Sequence, residues 1–215
     1  MGRVRSRIAA ACRRSRRRPE EVRLVAVTKG FPVATVEAAA AAGLQDLGEN
    51  YVQDLVEKRA AAPEATWHFV GRVQRNKVRG VADHAHVIHT LEPGRAVERL
   101  ARLIAGAAER PGLLVEVDFA GGRVGVPPDE AERFVLRLRD ELDITVEGLM
   151  TVAPLGRDPR PVFVGLRELR DRMGRRVGAV RELSMGMSTD LEAAVEEGAT
   201  MVRVGTAIFG PRPER

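Results

Sequence analysis

Residues 22–29 read VRLVAVTK, a mostly apolar run that ends in a lysine. A short apolar run of this length is typical of a buried strand. Lys29 follows the strand directly, and an amine at the end of a core strand can form a Schiff base with a carbonyl cofactor. The alternative is that Lys29 is simply the first solvated residue after the strand.

The chain uses arginine almost everywhere in place of lysine. Its only lysines are Lys29, Lys58 and Lys77. Arginine can replace lysine as a surface charge, but it cannot provide a neutral primary amine. The presence of Lys29 at the end of a strand therefore favours a chemical role for this residue.

Short apolar segments alternate with helical patterns along the chain. The segments predicted as strands are 22–29, 44–49, 66–71, 87–91, 113–118, 146–152, 181–185 and 200–205. The helices predicted between them are 33–42, 51–61, 94–109, 127–142, 161–173 and 189–197. Strands that alternate with helices indicate a parallel sheet with helical crossovers.

The number of predicted strands favours a closed barrel, because eight strands close a (β/α)8 or TIM barrel. An open doubly wound sheet is the alternative. The open sheet is less favoured because no G-x-G-x-x-G motif opens a helix after the first strand and no G-x-x-x-x-G-K-[ST] motif occurs. We predict an α/β fold with a single TIM-barrel domain over residues 1–215, including an extra N-terminal helix in residues 1–20.

Composition limits the class of protein further. The 215 residues are 44% hydrophobic, enough for a full core, and no apolar stretch is long enough to span a bilayer. The single cysteine, Cys12, cannot form an internal disulfide, which suits a reducing compartment. We therefore expect a cytoplasmic protein that does not bind membranes, and we expect a monomer.

Basic residues are concentrated near the N-terminus, where residues 13–18 read RRSRRR. With a formal charge of +5, this cluster suggests an arm that binds RNA or DNA. The alternative is the solvated face and end of an N-terminal helix. The chain has one Trp and one Tyr, so it lacks the aromatic platform on which single-stranded nucleic acids stack, and the second interpretation is favoured.

Histidines occur in two places. His68 follows Trp67, and this pair is interpreted as core packing around a satisfied imidazole. Asp83, His84 and His86, with His89 nearby, suggest a metal site. That segment looks like a loop that enters a strand, which does not favour metal binding.

The strongest local signals lie at residues 183–190, LSMGMSTD, and 200–210, TMVRVGTAIFG. Ser188 is predicted to cap the helix after the seventh strand, and Gly205 and Thr206 follow the eighth strand. Loops after these two strands commonly bind phosphate in barrels, and bare backbone at Gly205 allows a ligand to approach closely. The alternative is that Ser188 only caps its helix and Gly205 only turns the chain.

Arg203 interrupts the apolar eighth strand, so its cation points either to solvent between helices or into the barrel mouth. An inward guanidinium could donate to a ring nitrogen or hold a phosphate. Together with Lys29 and the predicted phosphate loops, Arg203 matches pyridoxal 5'-phosphate, which has an aldehyde, a phosphate and a ring nitrogen.

The chain resembles the YggS/PROSC family, also called the pyridoxal phosphate homeostasis protein family. The matching blocks lie between about Arg5 and Arg212 and are VAVTK (25–29), GEN (48–50), WHFVG (67–71), QRNK (74–77), GLM (148–150) and the two C-terminal segments. The resemblance implies a single barrel similar to the N-terminal domain of alanine racemase.

The resemblance also implies roles for individual residues. Lys29 would carry pyridoxal phosphate as an internal aldimine, and Arg203 would face the pyridine nitrogen. The residues implied to hold the phosphate are Ser188, Gly205 and Thr206, and those implied to line the ring are Asn50 and Met150. Arg123 stands where many relatives have a lysine, and an arginine cannot form an imine there.

Both a carrier and an enzyme are compatible with this site. Arginine stays protonated, so the ring nitrogen opposite it stays unprotonated and the cofactor is a poorer electron sink. Racemisation needs acid–base groups on both faces of the substrate carbon, and the only tyrosine is Tyr51. The favoured function is binding and supply of pyridoxal phosphate, with apo enzymes as recipients. The alternatives are a small amino-acid racemase, using Tyr51 or a water as second base, and a nucleic-acid-binding protein.

Overall fold

The computed structural model describes residues 1–122 and 124–212. Within these residues eight parallel strands form a closed barrel in chain order. The strands are β1 (Arg23–Val27), β2 (Asp46–Glu49), β3 (Thr66–Phe69), β4 (Val87–Leu91), β5 (Gly112–Glu116), β6 (Gly148–Met150), β7 (Glu182–Ser184) and β8 (Met201–Val204).

Helices surround the barrel, with α1 before the first strand and one helix after each strand. They are α1 (Gly2–Arg14), α2 (Val33–Ala41), α3 (Val52–Ala61), α4 (Val78–His84), α5 (Arg95–Ile104), α6 (Ala131–Leu142), α7 (Arg160–Val177), α8 (Leu191–Glu196) and α9 (Thr206–Phe209). A short 3-10 helix, Pro19–Glu21, lies between α1 and β1. None of the helices in the described part of the chain is long and apolar enough to cross a membrane.

Barrel closure is made by β1, which pairs with β2 on one side and β8 on the other. Ala26 aligns with Leu47 of β2 and with Val204 of β8. The predicted TIM barrel is therefore confirmed, and the open-sheet alternative is wrong because the first and last strands are hydrogen-bonded neighbours.

The buried side chains fall into two groups. The larger group lies between the strands and the helices, where buried residues such as Trp67, Leu100 and Phe163 pack. The smaller group lies inside the barrel and consists of Val25, Val87, Leu114, Met150 and Met201, packed against Val152. Each predicted strand overlaps an observed strand, so the positions of the predicted strands are confirmed to within a few residues.

Helix α4 was not predicted, because its residues were interpreted partly as a loop entering β4. Gly80 lowers the helix propensity of this segment. The helix nevertheless forms because Val78 and Val81 are fully buried in the core. Gly80 also lets α4 approach α3 closely, since a Cβ there would lie 2.6 Å from Val52 Cγ1.

Helix α1 packs against α8 through ion pairs. Arg7 forms a bidentate ion pair with Glu192, with N–O distances of 2.5 and 2.7 Å, and Arg14 donates to Glu196 at 2.7 Å. Arg17 donates to the backbone oxygen of Val195. The interpretation of the basic cluster as a purely solvated helix end is therefore wrong in part, because Arg14 and Arg17 contact α8.

Candidate functional site

A cavity of about 390 Å³ opens at the C-terminal ends of the strands. This volume lies in the range of sites for small organic ligands, about 300–1,000 Å³. Every residue that the sequence predicted for the site lines this cavity: Lys29, Asn50, Met150, Ser188, Arg203, Gly205 and Thr206. The barrel thus brings together residues that are up to 177 positions apart in the chain, from 29 to 206.

Lys29 follows β1 and is half-buried at the mouth of the cavity. Its Nζ lies 5.3 Å from the centroid of the Tyr51 ring, within the range of a cation–π contact. The amine therefore lies beside an aromatic face at the cavity.

A buried ion pair fixes the backbone next to Lys29. Lys58 Nζ lies 2.5 Å from Glu49 Oε1 and donates to the backbone oxygen of Thr28 at 2.9 Å. The Thr28 hydroxyl donates to the same Glu49 oxygen at 2.6 Å. We call Thr28, Glu49 and Lys58 the β1 clamp; its members are buried, with Lys58 only 3% exposed.

The electrostatics of the β1 clamp are dominated by burial. Burial raises the pKa of the Glu49 carboxyl, and the hydrogen bonds from Lys58 and Thr28 oppose that rise. The sequence identifies Lys58 only as one of three lysines and does not show its partner. The scarcity of lysine was the sequence signal that could have pointed to a role for Lys58. A buried primary ammonium can donate to two acceptors from one point, as Lys58 does in the β1 clamp.

Ser188 does not cap α8, so that prediction is wrong. The N-cap of α8 is Asp190. Its Oδ1 accepts a hydrogen bond from the Met187 N–H at 2.6 Å, which closes a turn before the helix begins at Leu191. Ser188 faces the start of α9 instead. Its Oγ accepts from the Thr206 hydroxyl at 3.1 Å and from the Ala207 N–H at 3.3 Å.

Two glycines shape this end of the cavity. Gly186, in the loop after β7, has φ +94°, and a side chain there would collide with Ala194. Gly205 follows β8, where a Cβ would lie 3.1 Å from the backbone oxygen of Val27. Gly186 is therefore required by its positive φ and by its packing against α8, whereas a side chain at Gly205 would be tight against β1.

Arg203 points into the barrel, which confirms the inward of the two predicted orientations. It is only 6% exposed, Nη1 donates to Ser184 Oγ at 2.6 Å, and Nη2 donates to the backbone oxygen of Thr151 at 2.9 Å. Burial lowers the pKa of Arg203 to about 10, against the attraction of Glu116 and Asp190. The guanidinium therefore remains charged at neutral pH.

Other lining residues were not predicted. Glu116 comes from the end of β5 and places a carboxylate on the cavity wall. Phe31 lines the mouth, with its ring centroid 5.3 Å from that of Phe209. Glu116 could have been found, because it is an acid within two residues of the end of a predicted strand. Phe31 lies in a loop, and its contact with α9 depends on the barrel closing.

The histidines take separate positions. The predicted burial of Trp67 and of a satisfied His68 imidazole is confirmed: both residues are fully buried, and His68 is hydrogen-bonded through both ring nitrogens. His84 ends α4 and bonds the Gly80 oxygen, whereas His86 accepts from the Trp67 N–H.

Among residues 1–122 and 124–212, no group of three or more His, Cys, Asp or Glu side chains is arranged to hold a metal. Arg123, which stands in place of a lysine, lies outside the described residues.

The barrel and its lysine-bearing mouth agree with one family of proteins. Residues 3–213 match the sequence model of the family described as "Alanine racemase, N-terminal domain". The chain belongs to this family, and the resemblance inferred from its motifs is confirmed.

Within the family, the chain is similar over its full length to proteins named pyridoxal phosphate homeostasis protein. The relative from Pseudomonas aeruginosa is 33% identical, with 99% of this chain and 94% of the relative covered. The relative from Aquifex aeolicus is 36% identical, with 99% and 96% covered. The Escherichia coli K12 relative is 34% identical, with 99% and 95% covered.

Solved structures agree with the fold. PipY of Synechococcus elongatus, solved with PLP bound, is 35% identical and superimposes with a TM-score of 0.83, covering 96% of this chain and all of PipY. An alanine racemase of Clostridium difficile superimposes with a TM-score of 0.73 over 98% of this chain and 57% of that chain. At 13% identity the racemase shares the fold alone.

Proposed function

We propose that this protein binds pyridoxal 5'-phosphate in the cavity at the C-terminal ends of the strands and acts in its supply to other proteins. The observation that carries the proposal is that one cavity is lined by a primary amine, a buried guanidinium and a pair of hydroxyls. This donor set fits the aldehyde, ring nitrogen and phosphate of the cofactor in turn. The binding of PLP by the similar PipY supports it.

Lys29 is the proposed covalent attachment point. Pyridoxal phosphate supplies an aldehyde that condenses reversibly with a primary amine, forming a carbon–nitrogen double bond and releasing the aldehyde oxygen as water. The β1 clamp fixes the backbone at Thr28 and so limits where the neighbouring Lys29 amine can reach. Lys58 is held by Glu49 and Thr28 inside the protein, which leaves Lys29 as the amine at the cavity.

The phosphate end is proposed at Ser188, Gly205 and Thr206, with Asn50 and Met150 lining the ring. The Ser188 and Thr206 hydroxyls lie 3.1 Å apart and can both turn towards an anion. Hydroxyl bonds to a charged phosphate are stronger than bonds between neutral groups.

Replacing Ser188 with alanine tests the phosphate position. We expect Ser188→Ala to weaken pyridoxal phosphate binding by about 1–3 kcal/mol, the value of one hydrogen bond to a charged group. Calorimetric titration of the variant with pyridoxal, which has no phosphate, provides the control and should give the wild-type affinity. Equal losses for the two ligands would contradict this assignment.

Arg203 is proposed to face the ring nitrogen. Because Arg203 keeps its proton at neutral pH, it donates to an unprotonated ring nitrogen and leaves the cofactor a poor electron sink. A cofactor that is a poor electron sink favours a carrier without strong catalysis. The apo forms of pyridoxal phosphate enzymes are the proposed recipients.

A carboxylate at position 203 should reverse the preference for an unprotonated ring nitrogen. We expect Arg203→Glu to favour a protonated ring nitrogen, so that added L-alanine slowly converts bound cofactor to its pyridoxamine form, provided that the cofactor is retained. The uncharged Arg203→Met is the matched control and should show no such conversion. Product analysis by chromatography measures it, and rapid conversion by the wild type would contradict both the position of Arg203 and the carrier function.

A small amino-acid racemase is the alternative function. Tyr51 presents its ring face to the Lys29 amine, with 5.3 Å between Nζ and the ring centroid. That contact is a cation–π arrangement and provides no argument for a second base. An alanine racemisation assay with the loaded protein separates the two functions: turnover that depends on Tyr51 would replace the carrier proposal.

A further inference from the structure

A continuous line of hydrogen-bonded side chains crosses the interior of the barrel. From Arg203, Nη1 donates to Ser184 Oγ at 2.6 Å, and Ser184 Oγ lies 2.8 Å from His89 Nδ1. His89 Nε2 lies 2.8 Å from His68 Nδ1, and His68 Nε2 lies 2.8 Å from Asp46 Oδ1. We call these five residues the relay.

The relay connects the two ends of the barrel. Arg203 lines the cavity at the C-terminal ends of the strands. Asp46 begins β2, and its side chain is 21% exposed in a groove of about 510 Å³ at the N-terminal ends of the strands, lined also by Arg5 and Arg23. Between them, Ser184, His68 and His89 are fully buried. The step from His89 to Ser184 joins β4 to β7, which are not neighbours in the sheet.

The hydrogens of the relay have one arrangement that satisfies every group. Arg203 can only donate, so Ser184 Oγ accepts from it. In the described residues the hydroxyl of Ser184 has only Arg203 and His89 as partners, so its own hydrogen goes to His89 Nδ1. A buried hydroxyl hydrogen with no acceptor would be costly.

The direction of the remaining bonds follows from His89. Burial lowers the pKa of His89 well below its ordinary value, and the Arg203 cation lowers it further, so His89 is neutral. With Nδ1 accepting from Ser184, its proton is on Nε2 and is donated to His68 Nδ1. His68 then donates from Nε2 to the carboxylate of Asp46. All donors in the relay therefore point from Arg203 towards Asp46.

The relay is more than core packing. Barrel interiors are usually filled by branched apolar side chains. Burying two imidazoles and a hydroxyl in that position is costly unless each polar atom is bonded, as it is here. A chain of bonds in one direction, with a cation at one end and a carboxylate at the other, polarises each bond along it.

We propose that Ser184, His89, His68 and Asp46 are positioning residues that hold the Arg203 guanidinium against the ring nitrogen of bound pyridoxal phosphate and set the strength of that hydrogen bond from the opposite end of the barrel. This inference rests on the proposed function for the identity of the ligand. The arrangement of the relay itself can be tested in the ligand-free protein.

The first test is nitrogen NMR of the histidines in the ligand-free wild type. The chain has four histidines, so the spectrum can be assigned with His84→Gln and His86→Gln. We expect His68 and His89 both to carry a proton on Nε2, with Nδ1 of His89 accepting. A proton on Nδ1 of His89 would overturn the relay, whatever ligand the protein binds.

The second test breaks the relay at its far end. Asp46→Leu should raise the dissociation constant for pyridoxal phosphate by about threefold to tenfold, the effect of weakening one hydrogen bond, and should shift the absorbance band of the loaded protein. Asp46→Asn retains an oxygen acceptor for His68 and should restore both properties in part. Glu20→Gln, which removes a carboxylate from the same groove outside the relay, is the matched control and should match the wild type.

The outcomes separate the two proposals. If Arg203→Met changes the loaded spectrum but Asp46→Leu leaves both spectrum and affinity at wild-type values, the relay is overturned and the proposed function stands. If the wild type takes up no pyridoxal phosphate, the proposed function fails and the coupling to the cofactor fails with it. The histidine spectra still decide the direction of the relay in that case.

Discussion

Replacing Lys29 with alanine is expected to abolish covalent capture of pyridoxal phosphate while leaving the protein folded. The amine of Lys29 stands at the cavity mouth, half-buried, so its removal leaves no cavity in the core. The other lysines cannot substitute, since Lys58 is held in the β1 clamp and Lys77 does not line this cavity. Borohydride reduction followed by peptide mass mapping measures the adduct, which should fall to background.

Lys77→Ala is the matched control for this experiment. It removes the same side chain from the start of α4 and should retain the wild-type adduct and absorbance. Circular dichroism and thermal melting confirm that the Lys29→Ala protein is folded. Cofactor that maps to Lys58 or Lys77 in the wild type would show that the attachment point is wrong.

Breaking the β1 clamp is expected to cause the largest loss of stability among single substitutions at the site. Lys58→Met leaves the Glu49 carboxylate buried without its cation, and removing one partner of a buried ion pair costs about 3–5 kcal/mol. For a chain of this size that loss corresponds to a fall in Tm on the order of 10 °C. Thermal melting measures it, and the double variant Lys58→Met/Glu49→Leu, which removes both charges, should recover most of it.

The loss of stability caused by Lys58→Met should depend on pH, in a direction set by the pKa of Glu49. Burial raises the pKa of Glu49, so the folded state holds that proton more tightly than the unfolded state does. The stability that this group contributes is present below its ordinary pKa and is lost as pH rises through the raised one. In Lys58→Met, the hydrogen bond from Lys58 is gone and no longer opposes the rise in the Glu49 pKa. The stability difference between Lys58→Met and wild type should therefore be smaller near pH 5 than near pH 8, and a larger difference at pH 5 would contradict the argument.

Sequence patterns predicted the strands because most of them contain a short run of apolar, buried residues. Such a run can be recognised in the sequence without knowing its neighbours in the sheet. Boundaries differ by a few residues, as for the sixth strand, predicted at 146–152 and observed at Gly148–Met150. Helix α4 was missed because tertiary packing of Val78 and Val81 overcomes the weak propensity of a segment that contains Gly80. Ser188 was assigned to the wrong helix because the turn closed by Asp190 is set by a side-chain bond.

The sequence by itself determined the class of fold, the lysine at the end of β1 and the two loops after β7 and β8. These features are local, since strand periodicity, loop glycines and an isolated lysine are each contained in a few adjacent residues. Only the tertiary structure decided that Arg203 points inward, that Lys58 supports β1 and that His68 and His89 join Asp46 to Arg203. Those contacts connect residues as far apart as Ser184 and His89, 95 positions along the chain. They exist because closing the barrel removes their polar groups from water, and each group must then find its partner inside the protein.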